Sequence, residues 1–152
     1  MITIPELQKQ LIKHKLDAYI ITRNNMFLGQ DVLEEENMLK ILTGFTGSAG
    51  SLIVFRDKAC LLVDGRYDIQ ARQQTDSSAV EVFCTRDSIG SWIQNNIKNS
   101  CKFAYNPWCH SIAEVDYWKR ALTAHEFIED KDNLLGSRVS SKEAEIFELE
   151  EQ

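Results

Sequence analysis

Two groups of residues in the middle of the chain are of types that commonly bind ligands. Three glycines fall within seven residues: Gly44, Gly47 and Gly50. Two apolar runs follow, and the second run ends in Asp64, Gly65, Arg66 and Tyr67. Glycine-rich loops can cradle phosphate groups with their backbone N–H groups, and an arginine at the end of a strand can bind a carboxylate through two parallel hydrogen bonds. Phosphate binding and carboxylate binding are therefore the first chemistries to consider.

The glycine-rich segment lacks the surroundings of a phosphate-binding loop. Such a loop needs a lysine followed by a serine or threonine at the start of a helix, whereas Gly50 is followed by the apolar run 51–55, which is typical of a strand. Glycine also lets the backbone turn tightly just before a strand. We therefore predict that the glycines of this segment are structural turn residues.

The residues from Asp64 to Tyr67 allow two interpretations. Strand ends in α/β sheets commonly carry ligand-facing groups, but Asp64 could equally cap a helix that starts near Tyr67. The Arg66 guanidinium is compatible with a structural ion pair and with a ligand contact alike. A catalytic pair of Asp64 and Asp68 is disfavoured, because these positions straddle a strand–helix junction and no base or metal ligand lies nearby in the sequence.

The histidines and cysteines do not predict a catalytic or metal site. Residues 125–129 (HEFIE) lack the second histidine of the HExxH zinc motif. His14 is predicted on an exposed helix face and His110 beside a helix start, and neither has a Cys, Ser or Asp partner at nucleophile spacing. No CxxC pair is present, and Cys60 and Cys84 lie within apolar runs, so we expect buried free thiols.

The composition fits one globular domain. The chain has 152 residues, of which 43% are hydrophobic and 26% charged. A net charge of -6 disfavours nucleic acid as a partner, because no cluster of Lys and Arg supplies phosphate contacts. No apolar segment reaches the roughly 20 residues that span a bilayer, and the first residues do not form a signal peptide. We therefore expect a cytoplasmic protein with no membrane partner.

Apolar spacing and capping residues predict alternating helices and strands. The first predicted helix is 4–15, with Thr3 as N-cap and Ile12 on its apolar stripe, and the second is 67–74. A third helix is capped by Asp87 and has apolar positions from 89 to 97. A fourth is capped by Ser111 and has an apolar stripe from Ile112 to Leu122. The predicted strands are 18–21, a hairpin of 51–55 and 59–63, then 80–84, 102–105 and 126–128. A polar connection is predicted at 22–37 and an acidic helix after Ser140. This order predicts an α/β domain with a mixed sheet flanked by helices.

Four short motifs together resemble a known family. They are LTGFTGSAG (42–50), VDGRY (63–67), YNP (105–107) and DYWK (116–119). In this order they resemble the amino-terminal domain of Xaa-Pro aminopeptidases (aminopeptidase P) of the creatinase/prolidase superfamily, in particular the first domain of the three-domain members. The resemblance covers residues 7–135, and Asn106 stands where the family often has Asp.

The resemblance implies a ribonuclease-H-like fold over residues 1–135, with 136–152 as a linker or the start of a following domain. Family members remove the first residue from peptides whose second residue is proline. They use two divalent metal ions, usually manganese, held by a carboxy-terminal catalytic domain whose ligand motifs are absent from this sequence. The resemblance thus implies no metal and no catalytic residue in this chain, whose partners would be that catalytic domain and the peptide substrate.

The resemblance also implies roles for the two groups of residues. The glycine segment would be a turn that leads into the hairpin, with Gly65 in a second turn. Asp64, Arg66 and Tyr67 would face the mouth of the catalytic domain, where Arg66 would line or gate the substrate channel. It would pair with an acidic group across the interface or with a peptide carboxylate. Contacts within a homo-oligomer are a further expected role, and the alternative is a stand-alone binding or oligomerisation module without peptidase activity.

Overall fold

The structure, a computed structural model, describes residues 2–22, 38–47, 49–107, 110–132 and 134–135. Its helices are α1 (Ile4–Lys13), α2 (Met38–Thr43), α3 (Asp68–Gln74), α4 (Ile89–Asn96) and α5 (Ile112–Ala121). Its strands are β1 (Ala18–Thr22), β2 (Ser51–Phe55), β3 (Ala59–Val63), β4 (Glu81–Cys84), β5 (Lys102–Tyr105) and β6 (Glu126–Glu129).

The strands formed by the described residues make one mixed sheet in the order β4-β3-β2-β1-β5-β6. β2 runs antiparallel to β1 and β3, while the pairs β1–β5, β5–β6 and β3–β4 are parallel. The carboxyl ends of the parallel strands and the start of β2 therefore lie along one edge of the sheet. The predicted α/β fold, a mixed sheet flanked by helices, is confirmed.

Helices cover both faces of the sheet because its central strands are apolar on both sides. β3 is buried along its whole length, and successive residues of β1 alternate between two cores. The first core joins one face to α1, α2 and α3 through Leu7, Leu11, Leu39 and Ala71. The second core joins the other face to α4 and α5 through Ile89, Trp92, Ile93, Val115 and Trp118.

The helix starts were predicted correctly at α1 and α5 and wrongly at α4. The Thr3 hydroxyl accepts a hydrogen bond from the Glu6 N–H, and the Ser111 hydroxyl accepts one from the Glu114 N–H. At α4 the N-cap is Ser88, whose hydroxyl accepts from the Ser91 N–H. The Asp87 backbone N–H instead donates to the Thr85 hydroxyl, so Asp87 belongs to the preceding turn.

One helix was missed, and three further expectations are corrected. Helix α2 was not predicted, because its six residues are too few to show a helical repeat. Ile12 and Ile112, which were placed on buried stripes, are 58% and 80% exposed, since a pattern marks a face but not how far the sheet covers it. Cys84 is exposed because β4 is an outer strand, whereas Cys60 is buried in β3 and burial raises its pKa to about 11.

Some expectations fall outside the described residues. They concern residues 23–37 of the polar connection, Ser48, Cys109 and the segment 136–152. Within the described ranges, no helix combines the length and apolarity needed to cross a membrane.

Two neighbouring residues of α1 provide a test of the packing. Leu11 is fully buried, so Leu11→Ala should lower the free energy of unfolding by about 2–5 kcal/mol through the lost apolar contacts and the remaining cavity. Ile12→Ala should change it by no more than about 0.5 kcal/mol, because that side chain is exposed. Urea unfolding followed by circular dichroism measures both, and equal effects would contradict the described orientation of α1.

Candidate functional site

The turn that follows β3 carries a charged pair at the carboxyl edge of the sheet. The Asp64 carboxylate accepts hydrogen bonds from the Arg66 side chain, with Nε 3.2 Å from Oδ1 and Nη2 2.9 Å from Oδ2. It also accepts one from the Arg66 backbone N–H at 2.9 Å. The guanidinium carbon lies 5.2 Å from the centre of the Tyr67 ring. The three residues therefore form one local unit in which carboxylate, guanidinium and ring are held together.

The contacts of this unit show that Asp64 forms an ion pair and is not a helix cap. Its side chain does not cap α3, because the N-cap residue Tyr67 makes no side-chain capping bond and Asp64 bonds to Arg66 instead. The hydrogen bonds from Arg66 hold the pKa of Asp64 below its ordinary value, and the same contact raises the pKa of Arg66. Arg66 is nonetheless 74% exposed, so its guanidinium remains accessible from solvent.

The glycine segment is shaped around the ring of Phe45, which is fully buried. A Cβ added at Gly47 would lie 2.2 Å from that ring, and one at Gly50 would lie 3.1 Å from it. Gly44 ends α2 with a φ of +83°, and a Cβ there would lie 2.9 Å from the Gln74 carbonyl oxygen. Gly65 differs, because a Cβ would meet nothing within 4 Å.

The structure brings the glycine segment and the Asp64 turn together. The Phe45 ring packs edge-on against Tyr67, with 5.9 Å between the ring centroids. The Thr46 backbone N–H donates to the Gln74 side chain at 2.8 Å, and Gln70 and Gln74 both donate to the Thr46 hydroxyl. The glycine segment thus holds α3, and with it the Asp64 turn, in place.

The histidines lie in different parts of the fold. His110 is buried, and its Nδ1 lies 2.9 Å from Glu114 Oε1. His125 accepts a hydrogen bond from the Cys101 N–H, and burial lowers its pKa. His14 was predicted on an exposed helix face, but it ends α1 and is only 30% exposed. The His110–Glu114 pair was missed, although its i, i+4 spacing is a signal in the sequence.

No group of three or more His, Cys, Asp and Glu side chains within the described ranges could hold a metal ion. The two metal ions, which the resemblance places in the catalytic domain, thus have no ligand set among the residues that the structure describes.

Comparison with known proteins identifies the family. The sequence model of the Creatinase/Prolidase N-terminal domain matches residues 4–135. The chain is 28% identical over 122 residues to aminopeptidase P1 of Lotus japonicus, covering 78% of this chain and 18% of that protein. It is 30% identical over 114 residues to Xaa-Pro aminopeptidase 2 of Mus musculus, covering 74% of this chain and 16% of that protein. The chain belongs to the Creatinase/Prolidase N-terminal domain family.

Solved structures share the fold. The X-prolyl aminopeptidase of Caenorhabditis elegans, described as a cytosolic enzyme with a di-nuclear active site, superposes with a TM-score of 0.75 at 20% identity, covering 88% of this chain and 24% of that one. The N-terminal domain of cytoplasmic peptidase PepQ from Mycobacterium tuberculosis superposes with a TM-score of 0.65 at 25% identity, covering 88% and 95%. The chain thus corresponds to one domain of its larger relatives and spans less than a fifth of the length of the two curated relatives named above.

Two glycines in different turns test the role of the glycine segment. Gly44→Ala should lower the free energy of unfolding by about 1–3 kcal/mol, because alanine is strained at positive φ and its Cβ would approach the Gln74 carbonyl. Gly65→Ala is the matched control and should change it by at most about 0.5 kcal/mol. Urea unfolding of both variants measures the difference, and a neutral Gly44→Ala variant would contradict the described turn.

Proposed function

We propose that this chain is the non-catalytic amino-terminal domain of a Xaa-Pro aminopeptidase. The observation that carries the proposal is the family match over residues 4–135, together with relatives named Xaa-Pro aminopeptidases that extend far beyond the matched part. In this proposal residues 1–135 form the domain, and 136–152 are a linker or the start of the next domain. The reaction removes the amino-terminal residue from peptides with proline in second position.

The chemistry of the reaction belongs, in this proposal, to the catalytic domain of the parent protein. Two divalent metal ions there, which we infer to be manganese, would supply an activated water and polarise the scissile carbonyl. The residues of this chain would control how the peptide reaches the metal site and how it is oriented there. The cytosolic description of the Caenorhabditis elegans enzyme supports a cytoplasmic location for the parent protein.

The turn of Asp64, Arg66 and Tyr67 is the surface that we assign to the substrate channel or the domain interface. Asp64 occupies the Nε–Nη2 edge of the guanidinium. A guanidinium has a second edge, Nη1–Nη2, that can donate to a further carboxylate or carbonyl. Since Asp64 holds the guanidinium in one orientation, less rotamer entropy is lost when a second acceptor binds. In this proposal the acceptor at the free Nη1–Nη2 edge of Arg66 is either a carboxylate of the peptide substrate or an acidic group of the catalytic domain.

The assignment to an aminopeptidase is tested by hydrolysis of a short Xaa-Pro peptide in the presence of manganese. The 152-residue chain should release no amino acid, whereas the complete product of the gene should do so and should lose this activity with a chelator. Activity of the chain by itself would contradict the proposal. Absence of activity in both would contradict it too, and would favour a stand-alone binding or oligomerisation module.

The role of Arg66 is tested in the complete gene product. Arg66→Ala should reduce kcat/KM by roughly tenfold for peptides whose carboxylate reaches the guanidinium, because a charge-assisted hydrogen bond is lost. The loss should differ between short and long peptides, and Arg66→Lys should restore only part of it. Arg72→Ala removes the same charge from the exposed Arg72–Asp68 pair and serves as control. An unchanged kcat/KM for Arg66→Ala at every peptide length would refute the role.

A further inference from the structure

A second surface at the same edge of the sheet has the properties of a ligand site. It is a cavity of about 330 Å³ that lies between the end of β1, the start of β2 and the helices α4 and α5. This volume is at the small end of the range for ligand pockets. The turn of Asp64, Arg66 and Tyr67 does not contribute to its walls.

The cavity lies at the carboxyl end of β1, through Thr22, beside the start of β2. β1 and β5 are adjacent and parallel. The first described helix after β1, α2, packs on one face through Leu39, whereas the first described helix after β5, α5, packs on the other face through Val115 and Trp118. In α/β sheets, ligands bind in the crevice that forms at the carboxyl ends of two such strands.

Among the described residues that line the cavity, Glu114 is the one with a charged side chain. Its Oε1 lies 2.9 Å from Nδ1 of His110, whose side chain is fully buried. Because a carboxylate only accepts hydrogen bonds, Nδ1 carries the proton in this contact, and the buried imidazole fixes the orientation of the carboxylate. Among the described residues, no Lys or Arg forms an ion pair with Glu114. The carboxylate is 31% exposed and can accept from a donor in the cavity.

Aromatic and hydroxyl groups complete the wall. Tyr117 is 45% exposed, and Trp118 lies beside it. Rings next to a carboxylate favour organic cations, since their faces carry partial negative charge. The Thr22 hydroxyl is buried and has no hydrogen-bond partner within the described part of the chain, so an N–H donor from a ligand would remove an energetic cost. Ser51 and Ser88 supply further oxygens.

An inorganic anion fits this wall less well than a cation. The N-terminus of α4 at Ser88 would favour an anion, but its partial charge of about +0.5 is smaller than the full negative charge of Glu114. We propose that the cavity binds a small organic cation that combines N–H donors with an aliphatic body, such as an alkylammonium or alkylguanidinium compound. This proposal does not depend on the proposed peptidase function.

Agmatine carries both kinds of cationic group and is a suitable probe. Titrated into the ¹⁵N-labelled 152-residue chain, it should shift the amide resonances of Thr22, Ser51, Ser88, Glu114 and Tyr117, with a Kd on the order of 1 mM. Sodium phosphate at the same ionic strength should not shift this set. No shift of these resonances by agmatine, or an equal response to phosphate, would overturn the proposal.

Two variants separate a specific site from general attraction to an acidic protein. Glu114→Gln should weaken agmatine binding by about tenfold or more, because the charge-assisted hydrogen bond is lost. Asp116→Asn removes the same charge from an exposed residue of α5 outside the cavity and should leave the Kd unchanged. Equal weakening in both variants, or none in Glu114→Gln, would refute the site.

A third variant covers the case in which Glu114→Gln fails to fold. Thr22→Val keeps the shape of the side chain and removes the buried hydroxyl that has no partner, so the variant should fold. It should bind agmatine several-fold more weakly than the natural chain does. An unchanged Kd in Thr22→Val would show that the hydroxyl is not a ligand contact and would contradict the proposed site.

Discussion

The burial of the central strands on both faces is the constraint on which the rest of the fold depends. β2 and β3 are buried almost throughout, so neither face of the sheet can remain open to water. The helices accordingly divide into α1, α2 and α3 on one side and α4 and α5 on the other. The first described helices after β1 and β5 therefore pack on opposite faces of the sheet. The cavity lined by Glu114 lies at the end of β1, next to α4 and α5.

The glycine segment contributes through packing rather than through chemistry. Its glycines leave room for the Phe45 ring, which contacts Tyr67, and Thr46 bonds to two glutamines of α3. The turn that carries Asp64 and Arg66 is consequently anchored by the packing of Tyr67 against the buried Phe45 ring. The exposed guanidinium of Arg66 thus has a defined position, which a loop attached only at its ends would not give it.

The carboxyl edge of the sheet carries two groups of opposite charge. Arg66 presents a guanidinium after β3, and Glu114 presents a carboxylate at the start of α5. Each is oriented by a neighbour: Arg66 by Asp64, and Glu114 by His110. This chain therefore presents an oriented guanidinium and an oriented carboxylate at the same edge of the sheet.

The sequence by itself determined the family and every described element except α2. Apolar runs and capping boxes depend on residues that are close in the sequence, and the motifs around Gly44 and Arg66 are patterns of residue types. Both could therefore be recognised from the sequence alone. Tertiary structure decided the exposure of Ile112 and Cys84, the contact of Phe45 with Tyr67, and the cavity beside Glu114. Pattern indicates which face of an element is apolar, but burial and contact depend on which distant segments cover that face, and this follows only from the packed sheet.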